Sequence, residues 1–241
     1  MKTILITGAS RGIGKAIAQR FAHDANNIAI CSRKSMDELE ETAKEITNLG
    51  SACIYDTVDI ADYESVERFI KRIHEEFGKI DVLVNNAGIS YIGLLQDMTV
   101  DEWKRIINVN LSSVFYTCKL VIPDMISKKK GSIINISSMW GVCGASCEVA
   151  YSATKGGVNS FSKALAKELA PSNINVNAIA CGVIDTRMNA CFSEEERAAI
   201  INEIPAQRMG TPTEVAELVA NIADSSSYLT GQVIAFDGGY M

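Results

Sequence analysis

Tyr151 and Lys155 stand four residues apart. On a helix that spacing places both side chains on one face. A free tyrosine has a pKa of about 10 and is a poor acid–base at neutral pH. A neighbouring ammonium favours the phenolate, so Lys155 is expected to lower the pKa of Tyr151. A tyrosine tuned in this way can give a proton to a carbonyl oxygen while hydride arrives at carbon. Alone, a Tyr-xxx-Lys pair is most often incidental. It gains weight here from a glycine-rich segment near the start of the chain and from polar residues between the two.

The glycine-rich segment is Thr7-Gly8-Ala9-Ser10-Arg11-Gly12-Ile13-Gly14. It follows a short apolar run and opens a helical pattern. Glycines let a backbone turn sharply and approach a pyrophosphate closely, and a helix N-terminus offers N–H groups and a positive dipole end to that anion. The spacing is GxxxGxG rather than GxGxxG, but the strand-to-helix context is the one that dinucleotide binding requires. Gly8, Ser10, Arg11, Gly12, Ile13 and Gly14 are the expected contacts. The bland reading is a tight turn between a strand and a helix. An enzyme using NAD usually places an acid about 20 residues on, at the ribose 2′-hydroxyl. Here Asn27–Met36 contains no Asp or Glu, and Ser32, Arg33 and Lys34 stand in that place. Arg11 and Arg33 would pair with a 2′-phosphate in forked geometry. NADP(H) is therefore the expected cofactor. Against it stands the plain possibility that Arg33 and Lys34 are ordinary loop cations.

These residues must be held by regular elements. Strands are expected at Thr3–Thr7, Asn27–Ser32, Ala52–Asp56, Val82–Asn85, Ser132–Ile136, Asn175–Ala180 and Gln232–Phe236. Between them, Val66, Phe69, Ile70, Ile73 and Phe77 mark one face of a helix over Asp62–Phe77. Val158, Phe161, Leu165 and Leu169 do the same over Ser152–Ala170, with Pro171 as the stop. Strands alternating with helices imply a doubly wound, Rossmann-type α/β fold, a parallel seven-stranded sheet with helices on both faces. Residues 1–241 read as one dinucleotide-binding and catalytic domain. The segment Thr186–Pro212 is the least regular, with a helical piece near Ser193–Ile204. Such an insertion suits a lid over a substrate.

Composition removes other classes. Of 241 residues, 47% are hydrophobic and 22% charged, and the net charge is −6, which fits a globular chain and argues against nucleic acid as a partner. Lys128-Lys129-Lys130 reads as a solvated helix end or, more sharply, as a docking spot for an acidic carrier. The seven cysteines are odd in number and form no CxxC pair, so neither a disulfide framework nor a thiolate metal site is expected. His23 and His74 have no evident ligand partners. No metal is expected. The chain enters a strand at once and has no unbroken apolar run of about 18 residues, so a cytoplasmic protein away from membranes is expected.

Taken together, Thr7–Gly14, Asn85-Asn86-Ala87-Gly88, Asn110, Ser138 and Tyr151-xxx-Lys155 resemble the short-chain dehydrogenase/reductase family, in its order and spacing. The resemblance implies roles. Tyr151 would be the proton donor. Lys155 would tune it and hold the nicotinamide ribose. Ser138 would donate to the substrate carbonyl, its neighbour Ser137 facing the other way. Asn110 would hold a water linking Lys155 to solvent. Asn86, Ala87 and Gly88 would lie along the cofactor, Asp59 with Ile60 would meet the adenine, and Gly182, Ile184 and Thr186 would lie at the nicotinamide carboxamide. Cys181 departs from the Pro-Gly that the family usually has after the sixth strand. The missing ring would leave that turn freer and put a thiol near the nicotinamide.

The length and the ending Phe236-Asp237-Gly238-Gly239-Tyr240-Met241 resemble the 3-oxoacyl-[acyl-carrier-protein] reductases, which implies an acyl carrier protein as partner. Of the two basic positions that would meet the carrier, Lys129 is kept and the other is Ser172. Ser138–Val149 followed by Tyr151 resembles the elongation factor P 5-aminopentanone reductases. That would make a modified lysine of elongation factor P the substrate, with Trp140 and Glu148 shaping its pocket. A non-catalytic NADPH-binding regulator on the same fold is the alternative of another class. The resemblance also implies a homotetramer.

Overall fold

The computed structural model describes residues 1–189 and 192–241. Cys191 lies outside them. In chain order the elements are β1 (Thr3–Thr7), α1 (Gly12–Ala22), β2 (Asn27–Ser32), α2 (Met36–Asn48), β3 (Cys53–Thr57), α3 (Tyr63–Phe77) and β4 (Val82–Asn85). Then come α4 (Val100–Ile107), a π-helical turn (Asn108–Ser112), α5 (Ser113–Lys128), β5 (Gly131–Ser138), the short α6 (Trp140–Cys143) and α7 (Val149–Leu169). The chain ends with β6 (Ile174–Cys181), α8 (Glu194–Glu203), α9 (Pro212–Asp224) and β7 (Val233–Phe236).

The strands form one sheet in the order β3-β2-β1-β4-β5-β6-β7, with every paired neighbour parallel. Both faces are covered, which is why the strands read as continuous apolar runs. Alternate residues serve opposite layers. Ile4 and Ile6 pack with Ile17 and Phe21 of α1, Leu39 and Ile46 of α2, and Val215 and Val219 of α9. Leu5, between them, packs into the other layer with Phe69 and Ile73 of α3, Val114 and Val121 of α5, and Val158 and Leu165 of α7. The strand order reverses between β1 and β4, and in such sheets the crevice beyond the carboxyl ends at that point is where ligands bind.

Several boundaries differ from expectation. β3 is shifted by one residue, and β5 and β6 are longer, because Ser138 stays in register with Cys181. The helix read over Ser152–Ala170 begins earlier, at Val149, so Tyr151 lies in its first turn. Val100–Lys128 is continuous helix, long and apolar enough on average to cross a membrane. Val109, Val114, Cys118, Val121 and Met125 of that run are buried against the sheet. The segment after β6 carries α8, started by a capping box of Ser193 and Glu196. It is tied down by parallel bridging of Ile184 to Gly210.

Candidate active site

The glycine loop closes the carboxyl end of β1. Gly8 and Gly12 have φ of +69° and +57°, a region that disfavours side chains. At Gly14 space forbids a side chain too: a Cβ there would sit 2.4 Å from the Gly8 carbonyl oxygen. The Asn86 amide at the end of β4 donates to the carbonyls of Thr7 and Gly8 at 2.9 and 3.0 Å. The Thr7 hydroxyl accepts from the backbone N–H of Asn86 and Ala87. The two loops at the reversal point are thus bound to each other. No side chain caps the first turn of α1 and no acid occupies it, so its N–H groups suit an anion. This cradle fits a dinucleotide pyrophosphate.

Ser138, Tyr151, Lys155 and Asn110 converge at the ends of β5 and α7. Lys155 is 5% exposed. Its Nζ donates to the Ile136 carbonyl at 2.8 Å and lies 5.6 Å from the Tyr151 ring centroid. Burial lowers its pKa to about 8. The expectation for Tyr151 reverses. Burial raises its pKa well above 10, the hydrogen bond with Ser138 opposes that rise, and the Glu148 charge adds to it. Desolvation of the phenolate outweighs the help available from Lys155, which is itself turned to a carbonyl. Ser137 and Ser138 face opposite ways as strand geometry requires: the Ser137 hydroxyl donates to the Lys155 carbonyl, and Ser138 meets Tyr151.

Asn110 sits in the π-helical turn, a distortion frequent at functional sites. Its carboxamide accepts from Ile89 N–H at 2.9 Å, donates to the Ile89 carbonyl at 2.8 Å and donates to the Thr154 hydroxyl at 3.2 Å. Gly88 lies between the two partners, since a Cβ there would be 3.5 Å from both Asn110 Oδ1 and Lys155 Nζ.

Just beyond β3, Asp59 holds Arg105 through both carboxylate oxygens and accepts from Ala61 N–H. Its pKa is lowered: burial opposes this, but the Ala61 N–H, Arg105 and the Arg33 charge prevail. Ile60 is buried beside it. Arg11, expected to meet a 2′-phosphate, is paired with a carboxylate here. Its guanidinium donates to Glu38 at 2.8 Å, and Arg187 donates to the other Glu38 oxygen at 2.8 Å. Glu38 lies two residues past the stretch Asn27–Met36 that holds no acid, and the helical turn of α2 carries it back to the glycine loop. Arg187, 149 residues away in sequence, gave no local signal.

Cys181 is the last residue of β6, in register with Ser138 and Phe236. It is buried and its pKa is pushed up to about 12 by that burial, so its thiol is a packed group and a poor nucleophile. The turn after it is held, with Gly182 N–H donating to the Phe236 carbonyl and a Cβ on Gly182 coming within 2.6 Å of Asp237 Cα. Ile184 is buried, and Thr186 lies beside Gly12. Trp140 packs edge to face on Tyr240, whose hydroxyl donates to Glu203 of α8. The bland reading of His74 also gains a partner: it binds Asp124 at 2.7 Å, on the far side of the fold from this site.

A doubly wound sheet, a glycine cradle and a Ser–Tyr–Lys–Asn cluster define an oxidoreductase that uses a nicotinamide dinucleotide. Residues 2–197 match the family model described as short chain dehydrogenase, and the chain belongs to that family. It is an oxidoreductase of the class acting on CH–OH and C=O groups. Its relatives include proteins named 3-oxoacyl-[acyl-carrier-protein] reductase FabG. That of Thermotoga maritima is 41% identical over 239 residues, covering 99% of this chain and 97% of the relative. Those of Staphylococcus aureus and Chlamydia trachomatis are 39% and 40% identical, each covering 99% of this chain and 97% and 96% of their own.

Proposed function

We propose that the protein reduces a ketone to a secondary alcohol with NADPH, and that its substrate is a 3-oxoacyl thioester on an acyl carrier protein. The observation that carries this reading is the full-length relation to the reductases of that name at about 40% identity, together with the Ser138–Tyr151–Lys155 cluster, in which Ser138 and Lys155 are buried. Residues 1–241 act as one unit, with 186–212 as the substrate loop, in a homotetramer and in a reducing, cytoplasmic setting that suits the six described cysteines, all unpaired.

Gly8, Ser10, Arg11, Gly12, Ile13 and Gly14 would hold the pyrophosphate and ribose, with Asn86, Ala87, Gly88, Asp59 and Ile60 along the adenosine side and Gly182, Ile184 and Thr186 at the nicotinamide. The bound cofactor supplies the hydride. Ser138 and Tyr151 each offer a hydroxyl to one carbonyl oxygen. Burial keeps Tyr151 protonated, so it enters reduction as the acid. Lys155 holds an ammonium next to it, and Asn110 fixes the backbone of Ile89 and the hydroxyl of Thr154 on the route from Lys155 outward.

One observation favours a second reading. Glu148, half-buried and with its pKa raised by burial, acts electrostatically on Tyr151. Its carboxylate would suit a cationic tail, as a 5-aminopentanone on a lysine of elongation factor P would present. Neutral Ser172 weakens the carrier-protein reading in the same direction.

NADPH oxidation measured with acetoacetyl-CoA, longer 3-oxoacyl carriers and aminopentanone-modified elongation factor P separates the two. The first reading expects turnover of the 3-oxoacyl substrates, and turnover of the modified protein alone would reject it. Tyr151→Phe is expected to lower the rate by about 10²–10⁴-fold. An unchanged rate with every ketone would reject the role of Tyr151.

A further inference from the structure

Among the described residues, Glu38 is the one carboxylate paired with the arginine of the glycine loop. Its placement is rigid. Leu39, the next residue, is fully buried, and the Thr42 hydroxyl ties the first turn of α2 to the loop by donating to the carbonyls of Glu38 and Ser10 at 2.9 and 3.4 Å. The two Glu38 oxygens divide their partners: Oε2 takes Arg11 and Oε1 takes Arg187. Arg187 enters from a hydrogen-bonded turn at the start of the substrate loop, where Asn189 donates to the Ile184 carbonyl and Thr186 lies beside Gly12. The trio therefore spans from the adenosine side of the cradle to the loop on its other side. Near it, at the end of β2, the buried Ser32 hydroxyl has no hydrogen-bond partner among the described residues.

The chemistry of the two cofactors differs at one group. A ribose 2′-hydroxyl can donate to a carboxylate, whereas a 2′-phosphate carries up to two negative charges and accepts only. Glu38 is suited to the first and repels the second. Arg11 and Arg187 do the reverse, since each guanidinium carries five N–H donors in a fork that fits a phosphate. For a phosphate to bind, both must turn from Glu38 toward it. The carboxylate holds the arginines in place when the cofactor is absent and competes with the phosphate when it arrives.

We propose that Glu38 and Arg187 are the residues that set the choice between 2′-phosphorylated and unphosphorylated cofactor, Glu38 against the phosphate and Arg187 for it. This rests on the reading of the site as a nicotinamide-dinucleotide site that favours NADP(H). Arg187 belongs by position to the substrate loop, so phosphate recognition and loop placement share one side chain.

The test is the dissociation constant of NADPH and of NADH, measured by calorimetry on the full chain at low ionic strength, where exposed charges are least screened. Glu38→Gln is expected to tighten NADPH by about fivefold and leave NADH unchanged or weaker, and Arg187→Gln to weaken NADPH by about fivefold with NADH unchanged, as befits exposed ion pairs. Glu38→Gln keeps side-chain size, and Arg187→Gln shortens an exposed side chain. Equal changes for both cofactors would show a mere strap across the groove and overturn the proposal, as would an unchanged ratio in both variants. The wild-type ratio separately judges the NADP(H) reading: tighter NADH would reject that reading, while the direction in which the variants move the ratio still judges Glu38 and Arg187.

Discussion

Lys155→Met should cost activity and gain stability, and the gain should disappear at high pH. Lys155 is buried in the fold, and burial brings its pKa from 10.5 to about 8. That difference makes the charged form about 3 kcal/mol less favourable in the fold than in the unfolded chain. Below about pH 8 both states hold the proton and the whole penalty is present. Between about 8 and 10.5 the unfolded chain still binds the proton and the fold does not, so stability rises with pH. Above 10.5 the penalty is gone. Methionine keeps the stem and removes the charge. It also removes the bond from Nζ to the Ile136 carbonyl, which returns about 1 kcal/mol. The net gain at pH 7 is then about 2 kcal/mol, or about 4–8 °C in Tm for a chain of this size. Thermal unfolding of wild type and variant without cofactor, at pH 7 and pH 10, checks it. The variant should melt higher at pH 7 and at nearly the same temperature at pH 10. A Tm difference that is the same at both pH values would refute the claim that Lys155 is held charged at a cost.

Asn110→Ala should destabilise the fold by about 1–3 kcal/mol, because it strips both main-chain groups of Ile89 of their partner; a denaturant midpoint equal to wild type would contradict this. Gel filtration should give about four times the 26.1 kDa of one chain, and Trp103→Glu with Phe115→Glu should reduce it, since Val100, Trp103 and Phe115 leave apolar surface on α4 and α5. A monomer in the wild type would reject the homotetramer.

The inner strands were legible because they are buried on both faces, so Ile4-Leu5-Ile6 and Val82-Leu83-Val84 read as unbroken apolar runs. Their ends were less so. The apolar run stops at Ile136, yet pairing with Ala180 and Cys181 keeps Ser137 and Ser138 in the sheet. The start of α7 was missed by three residues because Glu148 makes no side-chain cap; where a capping box exists, as at Ser193, the boundary was nearly right. The π-helical turn at Asn110 had no signature, since its residues fit a plain helix and only packing against Ile89 and Thr154 rewards the extra residue. The Glu38 trio joins three distant segments, and charge pairing over such separations has no local pattern. The sign of the Tyr151 shift failed for another reason: spacing shows which charge is near, but burial decides which form is favoured.

The two shifts at the site bear on its direction. Tyr151 is raised and Lys155 lowered, so the ligand-free cluster holds its proton on the phenol while the ammonium is the easier group to deprotonate. Under the proposed roles this favours reduction. The alkoxide that forms when hydride reaches a ketone is a far stronger base than any phenolate, so a tyrosine with a raised pKa still gives up its proton downhill. The phenolate left behind then sits 5.6 Å, ring centre to Nζ, from a lysine whose pKa of about 8 makes it a ready proton source near neutrality. Oxidation of an alcohol would have to begin from the phenolate, the form that burial and the Glu148 charge both disfavour. Under the proposed roles Glu148 therefore works against the oxidative direction, and its charge acts on the hydroxyl that would meet the substrate carbonyl.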